Sequence, residues 1–195
     1  MKKAYALLFD GYADWEIGHA LAELRRIGNM PVVTVGFTDA PVVSMGGLRV
    51  SPDTTVAAVV PDDVGLFILP GGMLWEQPYP AEALHPLLQA LDRQAVPMAA
   101  ICAATTVFAK AGVLHGKKHT SNALKYLREH VPGYQGDSDY VDELAVTDGH
   151  VTTASGLGSI ELTRNIMEAL NIATPQLRDL WFRAVKYGEY PEDFG

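Results

Sequence analysis

The chain predicts an α/β sandwich with a mostly parallel sheet, and three observations carry that expectation. Apolar runs at residues 4–9, 65–69 and 96–101 are continuous rather than alternating. Such runs suit strands buried on both faces, as in a parallel sheet. Segments with apolar residues at helical spacing lie between most of them, so strands and helices alternate along the chain. Turn residues close the runs, as at Asp10-Gly11 and Pro70-Gly71-Gly72.

Each element follows in order. Residues 4–9 form the first strand, and Ile17, Ala20, Leu21 and Leu24 mark a helix that Gly28 is placed to stop. Residues 31–35 form the second strand. Val42-Val43 and residues 48–50 flank Met45-Gly46-Gly47, which predicts a small hairpin. Residues 65–69 form a third buried strand, a helix runs over 81–93, and residues 96–101 form the next strand. Cys102 follows, then an Ala- and Thr-rich helix to Gly112. Residues 132–142 are polar and Gly-containing, and read as a surface loop. Residues 144–146 and 151–154 flank Asp148-Gly149, a hairpin turn. Leu162, Ile166, Met167 and Leu170 mark another helix, with Ser155 as its expected cap. The last helix opens at Thr174-Pro175 and carries Leu177, Leu180, Trp181 and Ala184 on one face, suited to core or to an interface.

Composition narrows the function. The 195 residues hold no repeat or dividing linker, so a single domain over 1–195 is expected. With 48% hydrophobic residues and 19% charged, the chain is not disordered. Fifteen Lys plus Arg against 23 Asp plus Glu give a net charge of −8, a poor match for nucleic acid or anionic membrane. The apolar run after Met1-Lys2-Lys3 stops at Asp10, too early for a signal peptide or membrane span. One cysteine excludes an internal disulfide and points to a reducing, cytoplasmic compartment. The six histidines form no metal-binding spacing, so neither metal nor cofactor is expected. Lys117-Lys118 reads as a solvated pair.

Ligands bind at the carboxyl ends of strands in such sheets. Glu16, Gly71-Gly72 and Cys102 all fall just past strand ends, so the topology would gather them at one edge. A cysteine on a strand-to-helix turn has the geometry of a nucleophile elbow, and a helix N-terminus favours its thiolate. A free cysteine can equally be a small buried hydrophobe. Glu16 could take the thiol proton, with burial raising its own pKa, or could simply complement the helix dipole. Gly71-Gly72 could aim backbone N–H groups into the cleft, with the Ala103 N–H, or be an ordinary turn. Gly156-Leu157-Gly158 matches only part of a dinucleotide fingerprint and carries little weight.

Taken together, L-L-F-D-G-Y-A-D-W-E, F-I-L-P-G-G and A-A-I-C-A-A-T resemble the ThiJ/PfpI family, of the class I glutamine-amidotransferase-like superfamily. A-G-V-L-H-G-K-K-H-T-S and T-T-A-S-G-L-G-S-I-E-L add to the likeness, which covers about residues 3–170. The resemblance implies a flavodoxin-like three-layer sandwich with helices on both faces, and a homodimer. It implies Cys102 as nucleophile and Glu16 as the acid bonded to its sulfur. Gly72 and Ala103 would supply oxyanion-hole N–H groups, with Gly71 beside them. The chain departs from the pattern twice. Ala103 stands where protease-like members place a histidine, and Asn122 where deglycase-like members do; His119 lies three residues earlier and is expected to point elsewhere. Asn122 could orient a carbonyl but cannot transfer a proton.

Two functions follow. One is a cysteine-dependent hydrolase, amidase or deglycase-like enzyme acting on a small amide, a reactive aldehyde such as methylglyoxal, or an isonitrile. The other is a non-catalytic stress protein in which oxidation of Cys102 senses oxidants. Both expect a depressed thiol pKa. A binding module without chemistry is the third reading.

Overall fold

The computed structural model describes residues 2–190. The first half runs β1 (Lys3–Leu7), α1 (Asp14–Arg26), β2 (Val32–Gly36), β3 (Val42–Val43), β4 (Arg49–Val50), β5 (Thr54–Thr55), β6 (Val64–Leu69) and α2 (Ala81–Arg93). The second runs β7 (Met98–Ile101), α3 (Thr105–Lys110), α4 (Leu124–His130), β8 (Ala145–Asp148), β9 (Val151–Ala154), α5 (Ser159–Ala169) and α6 (Pro175–Tyr187). Seven strands form one sheet in the order β5-β2-β1-β6-β7-β9-β8, and β3 and β4 form a separate ribbon. Every pairing in the large sheet is parallel except β8 with β9.

The strand order explains the layers. From β1 the chain crosses through α1 to β2, and from β6 through α2 to β7, in opposite directions across the sheet. Right-handed crossovers therefore put α1 and α2 on opposite faces. α5 packs on α1 and α6 on α5, while α4 packs on α3. This is the flavodoxin-like sandwich, with its switch point between β1 and β6. β6 and β7 are buried along their whole length, as continuous apolar runs require.

Several boundaries differ from expectation. α4 carries no clear apolar period, because only Leu127 on it is fully buried. Ser155 does not cap α5: Gly158 holds the N-cap position, and the Ser155 hydroxyl accepts from Leu157 N at 3.3 Å. Thr174 does cap α6, accepting from Leu177 N. On that helix Trp181 is core, its Nε1 donating to Glu23 Oε1 at 3.0 Å, whereas Leu177 is exposed. Lys117 is not simply solvated, since it pairs with Asp92 at 3.1 Å. Among the described residues no helix is long and apolar enough to cross a membrane.

Candidate active site

β7 ends at Ile101, and Cys102 opens a 3-10 turn, Cys102–Ala104, that leads into α3. Its φ is +60°, in the left-handed region. A non-glycine residue there costs on the order of 1–3 kcal/mol and persists only when its surroundings impose it. Here two threonines do so. Thr105 Oγ1 donates to the Cys102 carbonyl at 2.7 Å, and Thr106 Oγ1 to the Ala103 carbonyl at 2.8 Å. Ser121 shares a 2.7 Å hydrogen bond with Thr105 Oγ1 and ties the elbow to the segment before α4. The side chain at 102 is left half-buried, neither sealed in the core nor free in solvent.

Glu16 sits in the first turn of α1 and is buried. Its Oε2 accepts from Gly71 N at 2.6 Å, and its carboxyl lies in hydrogen-bonding contact with the Cys102 thiol. Gly71 must be glycine for this to happen. A Cβ there would lie 2.6 Å from Glu16 Oε2 and 2.7 Å from Cys102 Cβ. Gly72 has φ +153°, and a Cβ on it would meet Phe9 and the Gly11 carbonyl at under 3 Å. A bridge between Tyr12 and Gly72, with Ala13 N donating to Gly71 O at 3.0 Å, fastens the two loops together.

Asn122 completes the ring around the sulfur. Its Nδ2 donates to Cys102 Sγ at 3.3 Å, while its Oδ1 accepts from Gly156 N at 2.9 Å. Gly156 was not anticipated as a site residue. A Cβ at that position would stand 3.1 Å from Cys102 Sγ, so glycine keeps the sulfur accessible. The signal was the Gly-Leu-Gly just past β9, read as an incomplete nucleotide motif rather than a fourth strand-end loop. The structure thus gathers Glu16, Gly71, Gly72, Cys102, Ala103 and Asn122 at one edge of the sheet. One role changes: the Gly71 N–H is committed to Glu16, which leaves Gly72 and Ala103 as the candidate oxyanion donors.

The electrostatics depart from expectation. Burial raises Glu16 above the usual carboxylate range, against the opposing hydrogen bonds from Gly71 and Cys102. Burial and then the Glu16 charge push the Cys102 thiol up to about 11, although the Asn122 amide and the Ala103 N–H favour the thiolate. The expected depression of the thiol is therefore overturned. Desolvation and a carboxylate in contact outweigh the partial charge of a six-residue helix that begins three residues later.

No histidine among the described residues hydrogen-bonds to the sulfur. His119 is buried, and its ring nitrogens meet the Lys117 carbonyl at 2.7 Å and the Tyr134 hydroxyl at 2.5 Å. A cavity of about 430 Å³, lined by Lys110, His115, Tyr134 and Asp139 among others, is also separate from the residues around Cys102.

Known proteins share this arrangement of fold and sequence. A protein of Bacillus subtilis (strain 168) named uncharacterized protease YoaZ is 32% identical over 200 residues, covering 99% of this chain and 94% of its own. A second from that organism, uncharacterized protease YdeA, is 34% identical, covering 97% of this chain and 94% of its own. A deglycase of Thermococcus kodakarensis is 26% identical, over 81% of this chain and 92% of its own. The crystal structure of a DJ-1 superfamily protein from Agrobacterium tumefaciens superposes with a TM-score of 0.87 at 33% identity, covering 96% of this chain and all of that one. The DJ-1/PfpI family profile matches residues 2–169, a span that includes every residue of the cysteine site. With sequence, fold and family profile in agreement, the chain belongs to the DJ-1/PfpI family.

Proposed function

We propose that the protein is a cysteine-dependent enzyme in which Cys102 adds to the carbonyl carbon of a small reactive aldehyde. The observation that carries this reading is the contact between the Cys102 thiol and the buried Glu16 carboxyl. As Sγ bonds to carbon, Glu16 takes the S–H proton, and the carbonyl electron pair becomes an oxyanion. Glu16 then returns the proton to that oxygen. Gly72 and Ala103 N–H groups would hold the oxyanion meanwhile. The raised Glu16 is a better base near neutral pH than an ordinary carboxylate.

Addition to an aldehyde is favoured over amide or peptide cleavage on chemical grounds. Expelling an amine needs a proton delivered to the leaving nitrogen, and Ala103 and Asn122 stand where protease-like and deglycase-like members place a histidine. Aldehyde addition expels nothing. It therefore does not call for the peptide cleavage in the names of the Bacillus subtilis relatives. The test is turnover of methylglyoxal by the wild type, Cys102→Ser and Glu16→Gln. Both substitutions are expected to lower kcat/KM by about 100-fold or more. Full turnover in Cys102→Ser overturns the reading.

One observation favours oxidant sensing as a second reading. The thiol is half-exposed, and the Asn122 amide and Ala103 N–H stand ready to hold sulfinate oxygens. Peroxide-dependent gain of two oxygens on Cys102, without turnover of any aldehyde, would select it. A homodimer accords with the exposed Trp15, Met45 and Leu48, on α1 and on the hairpin whose Ser44 hydroxyl bonds Asp14 at 2.9 Å. Sedimentation of the wild type against Trp15→Asp tests that assembly.

A further inference from the structure

The second half of the chain encloses a cavity that the cysteine site does not use. Its volume of about 430 Å³ is usual for a small-ligand pocket, and its walls come from the segments 109–119 and 131–139. Leu114 and Val131, both buried, give it an apolar lining. Tyr134 and Asp139 are half-buried on it, and His115 stands exposed. None of the residues around the Cys102 sulfur lines it.

The polar wall is held in one hydrogen-bonding state. The Lys117 carbonyl can only accept, so His119 Nδ1, 2.7 Å away, carries a proton. Nε2 of the uncharged ring then accepts from the Tyr134 hydroxyl at 2.5 Å, which leaves only lone pairs on the tyrosine oxygen. Burial, and after it the charges of Asp137, Tyr140 and Asp139, push that hydroxyl up to about 12, so Asp139 and Tyr134 are electrostatic neighbours. A Cβ on Gly136 would stand 2.8 Å from both His119 Cε1 and the Tyr134 oxygen, so glycine there lets the pair close.

Asp139 is left without a counter-charge. Basic side chains of the surrounding segments are engaged elsewhere. Arg128 pairs with Asp137 at 2.8 Å, and Lys117 with Asp92 at 3.1 Å. Lys110 turns its ammonium to the Trp75 carbonyl at 3.4 Å and over the Tyr79 ring. Neither Trp75 nor Tyr79 lines the cavity, so Lys110 offers it an apolar stem rather than a charge. A carboxylate partly withdrawn from water and unpaired favours a cation beside it.

We propose that this cavity binds a small primary amine, with its ammonium between the Asp139 carboxylate and the Tyr134 oxygen and its hydrocarbon body on Leu114 and Val131. An ammonium brings three donors to side-chain groups that only accept. A single carboxylate suits a monoamine, and a chain of net charge −8 draws cations towards it.

Butylamine, with 1-butanol as its uncharged counterpart, tests this by NMR titration of the full chain. Butylamine is expected to shift the methyl signals of Leu114 and Val131 and leave those of Ile101, next to Cys102, in place. The alcohol at the same concentrations is expected to shift neither set. Asp139→Asn is expected to weaken butylamine binding by about tenfold or more, the scale of losing one hydrogen bond to a charged group. That variant should melt with the wild type, Asp139→Glu should keep part of the affinity, and Cys102 alkylation should be the same in all three proteins. Butylamine that leaves Leu114 and Val131 unmoved overturns the proposal. So does equal binding of 1-butanol, which makes the cavity merely apolar, and so does undiminished binding by Asp139→Asn. Weaker binding in Asp139→Asn that comes with a lower melting temperature and no recovery in Asp139→Glu gives the carboxylate a structural role and overturns it as well.

Discussion

Gly71→Ala is the sharpest structural test, because that glycine separates the two groups of the candidate dyad. Its φ is not in the left-handed region, so the added methyl costs nothing in backbone strain and everything in space. The methyl would sit 2.6 Å from Glu16 Oε2 and 2.7 Å from Cys102 Cβ. Both distances fall about 0.8 Å short of ordinary carbon contact. Neither neighbour can yield freely. Cys102 Cβ is anchored by an elbow at φ +60°, and rotating Glu16 away breaks its 2.6 Å bond with Gly71 N. Overpacking costs about 1–3 kcal/mol, and a lost hydrogen bond to a carboxyl adds on the order of 1–2 kcal/mol. The total of about 2–5 kcal/mol corresponds to a fall in Tm of roughly 4–20 °C for a chain of this size. Gly18→Ala is the matched control. That glycine lies exposed inside α1 with nothing within 4 Å of an added Cβ. Its substitution should raise stability by about 0.5–1 kcal/mol. Thermal melts by circular dichroism, paired with iodoacetamide alkylation of Cys102, read both effects. A Gly71→Ala protein that melts with the wild type and alkylates at the wild-type rate refutes the packing argument.

Other perturbations test the remaining contacts. Burial raises Glu16, so the stability it contributes is full below the unfolded carboxylate range and is lost as pH rises through its raised folded value. Urea midpoints should accordingly show Glu16→Gln gaining on the wild type between pH 4.5 and 8; an unchanged difference contradicts the burial effect. Asn122→Ala removes the amide donor to the sulfur and should push the thiol further up, seen as slower alkylation at fixed pH; faster alkylation contradicts it. Gly156→Ala places a methyl 3.1 Å from Cys102 Sγ and should slow bulky alkylating agents more than iodoacetamide; equal slowing argues against a steric wall. Trp181→Phe strips the buried donor from Glu23 Oε1 and should cost about 1–3 kcal/mol in urea unfolding. Wild-type stability there would show that Glu23 finds another partner.

Much of the fold was legible because its signals are local. Continuous apolar runs announce β1, β6 and β7, and the Asp148-Gly149 turn announces the β8–β9 hairpin. α4 was not legible, since it buries Leu127 alone and so writes no period into the chain. Of the site, strand-end logic brought Glu16, Gly71, Gly72 and Cys102 to notice, and the resemblance brought Asn122. Gly156 escaped because its importance is the space it leaves beside a sulfur 54 positions earlier in the chain. The cavity beside Asp139 escaped for the same reason: its walls come from two segments, 109–119 and 131–139, with no shared pattern.

The sequence by itself determined the alternation of strands and helices, and through it the sheet edge where strand-end residues collect. Apolar periodicity and turn chemistry act over a few neighbouring residues, so a single chain records them fully. Tertiary structure decided the state of the thiol. The position of Cys102 just before the N-terminus of α3 suggested a depressed pKa, yet packing surrounds the sulfur with the core and sets a carboxyl against it. Desolvation and contact charge depend on what lies within a few ångströms in space, and no local pattern encodes that distance.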